Sequence, residues 1–193
     1  MRGQLFFQSW FAVWDHTKQR AVAEVNGLDR SLFSDPRLAG ELQKIVEKYE
    51  INVARLNTNP AAIVADPIEE ERVINDYGIP RTVKIKRLRV SIPFTGDAET
   101  LKIQPSRSTM LSHAVELGQD AISFTIPDDQ NADREVTTLC TNVQGNLDVL
   151  QQEYQQAKPQ LEQAVSQAAE RRKTEIAAES QRDAGHRSFT VRR

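Results

Sequence analysis

The chain of 193 residues carries a formal net charge of -2, with 39% hydrophobic and 27% charged residues, which suits one domain with an appendage or two small units. This balance excludes a global electrostatic reason for nucleic-acid binding, so such a role would have to rest on a local basic patch. A single cysteine, Cys140, excludes an internal disulfide framework and a cysteine-rich zinc site. The N-terminal sequence lacks the continuous apolar region of a secretory signal, and no window approaches the roughly 20 apolar residues of a membrane span. We therefore expect a cytoplasmic protein that does not enter the membrane.

The N-terminal segment, residues 1–58, is predicted to be mainly helical. Aromatic residues recur at steps of three and four from Phe6 to Trp14, and Ala21 and Val25 continue that face. Asn26-Gly27 then predicts the end of a first helix.

A second helix is predicted to start at Asp35-Pro36, with the proline in its first turn. Its apolar stripe comprises Leu38, Leu42, Ile45, Val46 and Tyr49. A short strand is expected within residues 51–56.

The middle segment, residues 59–127, is predicted to contain a connector and then a β-meander. Residues 59–80 indicate an acidic connector, because they contain Glu69–Glu71 and several turn-forming pairs with proline or glycine. After the connector, apolar residues alternate with polar ones, as in a half-buried strand, at Leu88, Val90, Ile92 and Phe94. Val83 and Ile85 lie at odd-numbered positions, whereas the apolar residues from Leu88 to Phe94 lie at even-numbered ones, which predicts a bulge or twist near Lys86-Arg87.

Further strands complete the predicted meander. Turns are expected at Thr95-Gly96-Asp97 and at Gly118-Gln119-Asp120. The strands are placed around Leu101 and Ile103, from Leu111 to Leu117, and from Ala121 to Ile126.

The C-terminal segment, residues 128–193, is predicted to be a long helical arm with a basic tail. Apolar residues follow a heptad seam for about four and a half repeats, as in a coiled coil. The seam comprises Val136, Cys140, Val143, Leu147, Leu150, Tyr154, Ala157, Leu161, Ala164 and Ala168. Because Pro159 removes a helix hydrogen bond, we expect a kink or two helices that meet near Lys158-Pro159. The tail from Gly185 to Arg193 is expected to be extended. The last four arginines of the chain, Arg182, Arg187, Arg192 and Arg193, are a candidate contact for an anionic partner. The predicted fold class is α+β: a small antiparallel β-meander flanked by N-terminal helices and a long, kinked C-terminal helical arm.

No catalytic, cofactor-binding or metal-binding residues are predicted. His16, His113 and His186 lie in separate segments without metal-ligand spacing, and glycine-rich nucleotide loops are absent. Cys140 lies on the helical seam, where a buried and inert thiol is expected rather than a nucleophile. We therefore predict that the protein is not an enzyme and needs no cofactor.

Two surfaces are candidates for binding. A local excess of basic residues on the predicted strands is a candidate contact for nucleic acid, although the same residues could balance the acidic connector. These residues are Arg81, Lys84, Lys86, Arg87, Arg89, Lys102 and Arg107.

The second candidate surface is an interface for a partner protein or for a second copy of the chain. Its residues are Phe7, Trp10, Phe11, Trp14, Leu161 and Val165. For the aromatic group, burial in a core is the competing interpretation. Along the seam, Leu147, Leu150 and Tyr154 are expected to pack on the N-terminal helices, and the segment after Pro159 is expected to project toward the partner.

Four motifs carry a resemblance to a known group of proteins: Val46 to Val53, Val90 to Asp97, Ile103 to Ser106, and Ala169 to Lys173. Over roughly residues 40–193 the chain resembles the N-terminal module of uncharacterised bacterial proteins in which a restriction-endonuclease-like lobe of the PD-(D/E)xK type follows. The chain ends before such a lobe, and Glu99-Thr100-Leu101-Lys102 has the wrong spacing for its metal site.

The resemblance implies a non-catalytic binding or scaffold subunit of a bacterial anti-phage defence system, coupled to a separately encoded effector protein. This inference is by association. The alternative function is a nucleic-acid-binding module that uses a basic β-face, and homo-oligomerisation also remains open.

Overall fold

The computed structural model describes residues 5–111 and 114–187, with the side chains of Asp76 and of residues 183–187 excepted. Its elements in chain order are β1 (Gln8–Ser9), α1 (Trp10–Asn26), α2 (Leu38–Lys48), β2 (Arg55–Leu56), β3 (Val64–Asp76), β4 (Ile79–Thr95), β5 (Ile103–Gln104), β6 (Val115–Leu117), β7 (Ala121–Pro127) and α3 (Ala132–Arg187). Short 3-10 turns lie at Arg30–Ser34, Pro60–Ala62 and Ala98–Lys102. Within the described ranges, three α-helices and a five-stranded antiparallel sheet confirm the predicted α+β class with its long C-terminal helix.

Contacts between residues divide the chain into two compact units. The sheet unit combines the residues up to Trp10 with Ile51–Glu153, and the helical unit combines Phe11–Glu50 with the residues from Tyr154 onward. Each unit therefore joins residues that are distant in the chain, whereas the sequence suggested three consecutive segments.

The N-terminal helices of the helical unit follow the predicted signals. Helix α1 ends at Asn26, and the Gly27 N–H donates to the carbonyls of Ala23 and Glu24. Helix α2 begins at Leu38, slightly later than predicted, because the Asp35 carboxylate accepts a hydrogen bond from the Arg37 N–H at 2.8 Å and forms a turn first.

Polar and aromatic contacts connect the helices of the helical unit. The Glu24 carboxylate on α1 accepts hydrogen bonds from Lys48 Nζ at 2.7 Å and Tyr49 Oη at 2.9 Å, and these bonds lower the pKa of Glu24. The Trp14 ring packs edge-on against Tyr154, with 6.0 Å between ring centroids. These contacts hold α1 against α2 and against the C-terminal part of α3.

Strand β4 is the centre of the sheet unit. On one edge it pairs with β7 through Arg87–Pro93. On the other edge it pairs with β3 through Ile79–Ser91 and with β2 at its end. Strand β6 pairs with β7, and β1 forms a separate parallel pair with β5.

The predicted alternation in β4 is confirmed by burial. Val90, Ile92 and Phe94 are buried, and Leu88 packs against the same core. Val90 and Ile92 lie opposite Phe124 and Ile122 of β7. The N-terminal part of α3 adds apolar residues to this core, namely Leu139, Cys140, Val143 and Leu147. Leu147 was expected on the N-terminal helices and instead belongs to the core of the sheet unit.

The predicted connector is wrong between residues 64 and 76. These residues form β3, which pairs with β4 in an unbroken register from Val64↔Ser91 to Asp76↔Ile79. The charge of Glu69–Glu71 predicted a loop, but these residues pair with a basic strand. Of the bulge or twist expected near Lys86-Arg87, the bulge is wrong, since the register continues through both residues.

Smaller differences concern the ends of elements. Leu101 lies in a 3-10 turn rather than a strand, and Phe6 and Phe7 precede α1 instead of forming its first turn. Their N–H groups donate to the carbonyls of Leu101 and Lys102, each at 2.9 Å. The backbone of α3 is helical to Arg187, so the tail is not extended from residue 185. Residues 188–193, with Arg192 and Arg193, lie outside the described part.

Helix α3 runs continuously from Ala132 to Arg187, so the expected pair of helices meeting at Pro159 is wrong. Pro159 lacks an N–H, which leaves the Gln155 carbonyl without its helical donor. Both residues are exposed, so water can bind that carbonyl. On the opposite side, Ala157 and Leu161 are buried, and their packing holds the helix together.

Candidate interaction surface

Part of the β3–β4 pair extends beyond the rest of the sheet. The last pair between β4 and β7 is Arg87↔Pro127, whereas β3 and β4 remain paired as far as Asp76↔Ile79. We call residues 68–76 and 79–87 the distal hairpin. Its two strands are joined by Tyr77-Gly78, which have φ angles of 52° and 86° and form a tight two-residue turn of the type that suits hairpins.

The two faces of the distal hairpin differ in chemistry. Directly paired residues of antiparallel strands share a face, so the register assigns each residue to one face. The inner face continues the face that carries Leu88 and Val90. In the hairpin it carries Val73, which is 67% exposed, but it is otherwise mostly polar, with Glu69 opposite Lys86 and Glu71 opposite Lys84. These opposite charges balance.

The outer face of the distal hairpin is aliphatic. Its apolar side chains are Ile68, Ile74, Ile79, Val83 and Ile85. Ile74 and Ile79 are 40% and 60% exposed, and the other three are half-buried. None of the five belongs to the hydrophobic core of the sheet unit. Together with fully exposed Tyr77 at the tip, they form an apolar surface without a covering layer among the described residues of that unit.

Ion pairs border the aliphatic side chains on the outer face. Arg87 donates to Glu70 at 2.7 Å, and Arg89 donates to Glu116 on β6 at 3.1 Å. A surface depression of about 610 Å³ lies at the base of the hairpin, and its walls include Ile68, Arg87 and Thr125. The outer face is therefore a continuous surface of aliphatic and ion-paired side chains.

The edges of the distal hairpin are protected from pairing with another strand. In a two-residue hairpin the two residues beside the turn are hydrogen-bonded to each other, and every second pair from there is hydrogen-bonded in the same way. In the pairs between them, the backbone nitrogens point away from the partner strand. By this count, the nitrogens of Pro67 and Pro80 point to the free edges, where a strand would need an N–H donor. The charged run Glu69–Glu71 protects the edge of β3 further.

The basic residues predicted to contact nucleic acid do not form one face. Arg81, Arg87 and Arg89 lie on the outer face, whereas Lys84 and Lys86 lie on the inner face. Lys102 is in the 3-10 turn after β4, where it pairs with Glu99, and Arg107 is in the loop after β5.

Several of these basic side chains are already neutralised. Lys84 lies 3.3 Å from Glu69, Arg87 pairs with Glu70, and Arg89 pairs with Glu116. Two acidic residues of the predicted connector, Glu69 and Glu70, thus pair with the basic strand.

The residues predicted to contact a partner protein are also divided. Phe7 and Phe11 are 52% and 63% exposed, but Trp10 and Trp14 are buried. Leu161 and Val165 are buried in the helical unit, so in this structure they cannot form an exposed arm. The seam after Pro159 is covered by the protein's own chain.

Most of the outer face escapes prediction from the sequence because residues 59–80 resemble a connector. Two signals could have revealed it. The first is that the apolar residues switch from odd-numbered positions up to Ile85 to even-numbered positions from Leu88 onward. This switch marks a second apolar face of the strand rather than a bulge. The second is the group of apolar residues on both sides of Tyr77-Gly78, a pattern typical of a hairpin tip.

Possible metal ligands and Cys140 are two further groups in the described part of the chain that could carry chemistry. No cluster of three or more histidine, cysteine, aspartate or glutamate side chains there could hold a metal ion. Cys140 is buried, and burial raises the pKa of its thiol, which disfavours the nucleophilic thiolate. Within residues 5–111 and 114–187, no helix combines the length and apolar character needed to cross a membrane.

Comparison with known proteins yields no relative for this chain. No protein-family model matches it, and neither a curated protein nor a solved structure shows significant similarity.

Proposed function

We propose that this protein is a non-catalytic binding or scaffold subunit that holds a partner protein on the outer face of its distal hairpin. The observation that carries the proposal is the change of apolar face along β4. Its proximal half buries Val90 and Ile92 in the core, while its distal half turns Val83 and Ile85 to the opposite, uncovered side.

Physical chemistry gives this pattern a reason. A two-stranded hairpin alone is marginally stable in water, and it gains stability when an apolar face is covered. Aliphatic side chains at alternate positions of both strands expose a contiguous apolar surface, which is typical of interaction sites. A partner that covers the outer face would stabilise the hairpin and be held by it.

The identity of the partner rests on the resemblance carried by the four sequence motifs. That resemblance supports a separately encoded effector of a bacterial anti-phage defence system. A cytoplasmic location and the absence of catalysis belong to the same proposal.

The binding function is tested by comparing two double variants on the same strand. Val83→Ser with Ile85→Ser changes the outer face, and Thr82→Ser with Lys84→Ser changes the inner face. Each tagged protein is purified from its native host, and bound proteins are quantified by mass spectrometry. We expect a stoichiometric partner with the unmodified protein and the inner-face variant, and at least a tenfold loss with the outer-face variant.

Thermal midpoints of the three proteins show whether folding is preserved. If all three retain the same bound proteins, the hairpin is not the binding element. If the genuine partner is an effector, cells that carry both genes should also lose phage protection with the outer-face variant alone.

Nucleic-acid binding remains the alternative proposal, supported by Lys86 and Arg107, which are exposed and have no ion pair with a described side chain. The test is fluorescence anisotropy with duplex and single-stranded DNA and with RNA over a salt series, because phosphate contacts impose a steep salt dependence. Reversal of Lys84, Lys86 and Arg89 to Glu should abolish binding if this function is real. Absence of binding by the unmodified protein at low salt would reject it.

A further inference from the structure

We infer that the partner segment seated on the outer face is an amphipathic helix with acidic flanks, contributed by a different protein. This inference rests on the proposed binding function and specifies the chemistry of the ligand. It follows from the protected edges, the dimensions and the charges of the distal hairpin.

The edges of the hairpin direct binding to its face. An added β-strand would need backbone donors and acceptors along β3 or along residues 79–86 of β4. Pro67 and Pro80 remove a donor from each free edge, and three consecutive glutamates lie along β3. The aliphatic side chains, in contrast, remain accessible from the outer side.

The dimensions of the outer face match one helix. The nine residues in each strand are separated by eight steps of about 3.4 Å, so each strand spans about 27 Å, and two strands are about 10 Å wide. A helix of about 18 residues is also about 27 Å long and about 10 Å in diameter. A single helix would therefore cover all five aliphatic side chains and pack as a second layer on the two strands.

The charges of the outer face indicate which residues should flank the apolar stripe of that helix. By register, the outer face of the distal hairpin has three arginines, Arg72, Arg81 and Arg87, but only two acidic residues, Glu70 and Asp76. Arg87 already pairs with Glu70. Arg72 is exposed and has no hydrogen bond or ion pair with a described side chain, so acidic residues beside the apolar stripe of the partner would complement it.

A second copy of this chain fits the surface less well. In a symmetric pair the same patch of both copies would meet, so the charge excess of one copy would not be balanced by the other. Face-to-face packing of two copies would therefore bring together two surfaces with excess arginine.

The inference is tested with a photoreactive amino acid in the full-length protein, produced in its native host. Ile85→p-benzoylphenylalanine places the probe on the outer face, and Lys84→p-benzoylphenylalanine is the matched control on the inner face. After irradiation, mass spectrometry identifies the cross-linked peptide. We expect an adduct only from position 85, on a foreign peptide with apolar residues three and four apart and flanking Asp or Glu.

The charge requirement is tested in the same experiment. Arg72→Glu should lower the yield of the adduct at least tenfold, whereas the control Lys86→Glu on the inner face should change it less than twofold. An adduct with a second copy, with nucleic acid, or with a peptide lacking this pattern would overturn the inference but leave a binding hairpin in place. Absence of any adduct from position 85 would reject the proposed function as well.

Discussion

Gly96 lies at a corner where the end of β4 passes close to residues 52–54. Its φ of +89° belongs to the left-handed region, and a Cβ atom there would lie 2.8 Å from the Val53 carbonyl oxygen and 2.9 Å from the Ala54 Cα. The next residue, Asp97, donates its N–H to the Asn52 carbonyl at 2.8 Å. The turn predicted from Thr95-Gly96-Asp97 is therefore confirmed, and the structure adds a reason for glycine beyond its conformation.

Gly96→Ala should destabilise the protein by about 2–4 kcal/mol, because it combines an unfavourable φ with a backbone clash. The measurement is the free energy of unfolding from urea titrations. Gly145→Ala is the control, since Gly145 lies in α3 with nothing within 4 Å of an added Cβ. That change should stabilise by up to about 1 kcal/mol. Equal effects of the two substitutions would contradict the assigned geometry of the corner.

Thr100 fixes the same corner through its hydroxyl group, and it is 1% exposed. Its Oγ1 accepts a hydrogen bond from the Ala54 N–H at 2.8 Å and donates to the Asp97 carbonyl at 2.6 Å. Thr100→Val keeps the shape but leaves the buried Ala54 N–H without an acceptor.

We expect Thr100→Val to cost about 1–3 kcal/mol of unfolding free energy. Thr100→Ser keeps the hydroxyl and should cost clearly less. Urea unfolding of both variants decides the point, and a valine variant as stable as the serine variant would show that the hydroxyl is dispensable.

At the scale of single elements, β4 shows how one strand serves two surfaces. Its even-numbered residues from Leu88 to Phe94 face the core, while Val83 and Ile85 face the other side. Period-two alternation in the sequence predicted the first half correctly. For the second half it predicted a bulge or twist, because alternation alone cannot distinguish a shift of register from a change of the buried face.

Helix α3 contains the other element-scale feature, a proline within an unbroken helix. Pro159→Ala should restore the hydrogen bond to the Gln155 carbonyl and stabilise the protein by about 1–3 kcal/mol. Thermal unfolding measures this change, and Gln156→Ala at an exposed position of the same helix is the control with little expected effect. A lower thermal midpoint for Pro159→Ala would show instead that the proline shapes the packing of the helical unit.

At the scale of the whole molecule, local stability should be uneven. The core residues of the sheet unit and of the helical unit are buried, whereas the distal hairpin has two strands, no buried residue among those described and a fully exposed tip. Local opening should therefore be most frequent in the hairpin.

Limited proteolysis with chymotrypsin should consequently cut first after Tyr77. Tyr154 and Trp14 are buried and should resist cleavage while the protein stays folded. Fragment masses identify the first cut, and Tyr77→Ser should slow it markedly. Initial cleavage at a buried aromatic residue would show that the hairpin is not the least stable region.

Local patterns were enough to predict the helix end at Asn26, the turn at Gly96, the strand at residues 121–126 and the apolar seam of α3. These features depend on local backbone preference and on the spacing of apolar residues, which are properties of neighbouring positions. The strand at Glu69–Glu71 and the burial of Leu161 and Val165 depend instead on the packing of the folded chain. The glutamates are compatible with a strand because Lys84 and Arg87 lie across from them, and Leu161 is buried in a unit that also contains Phe11–Glu50. Such partners are distant in sequence, so local patterns do not reveal them.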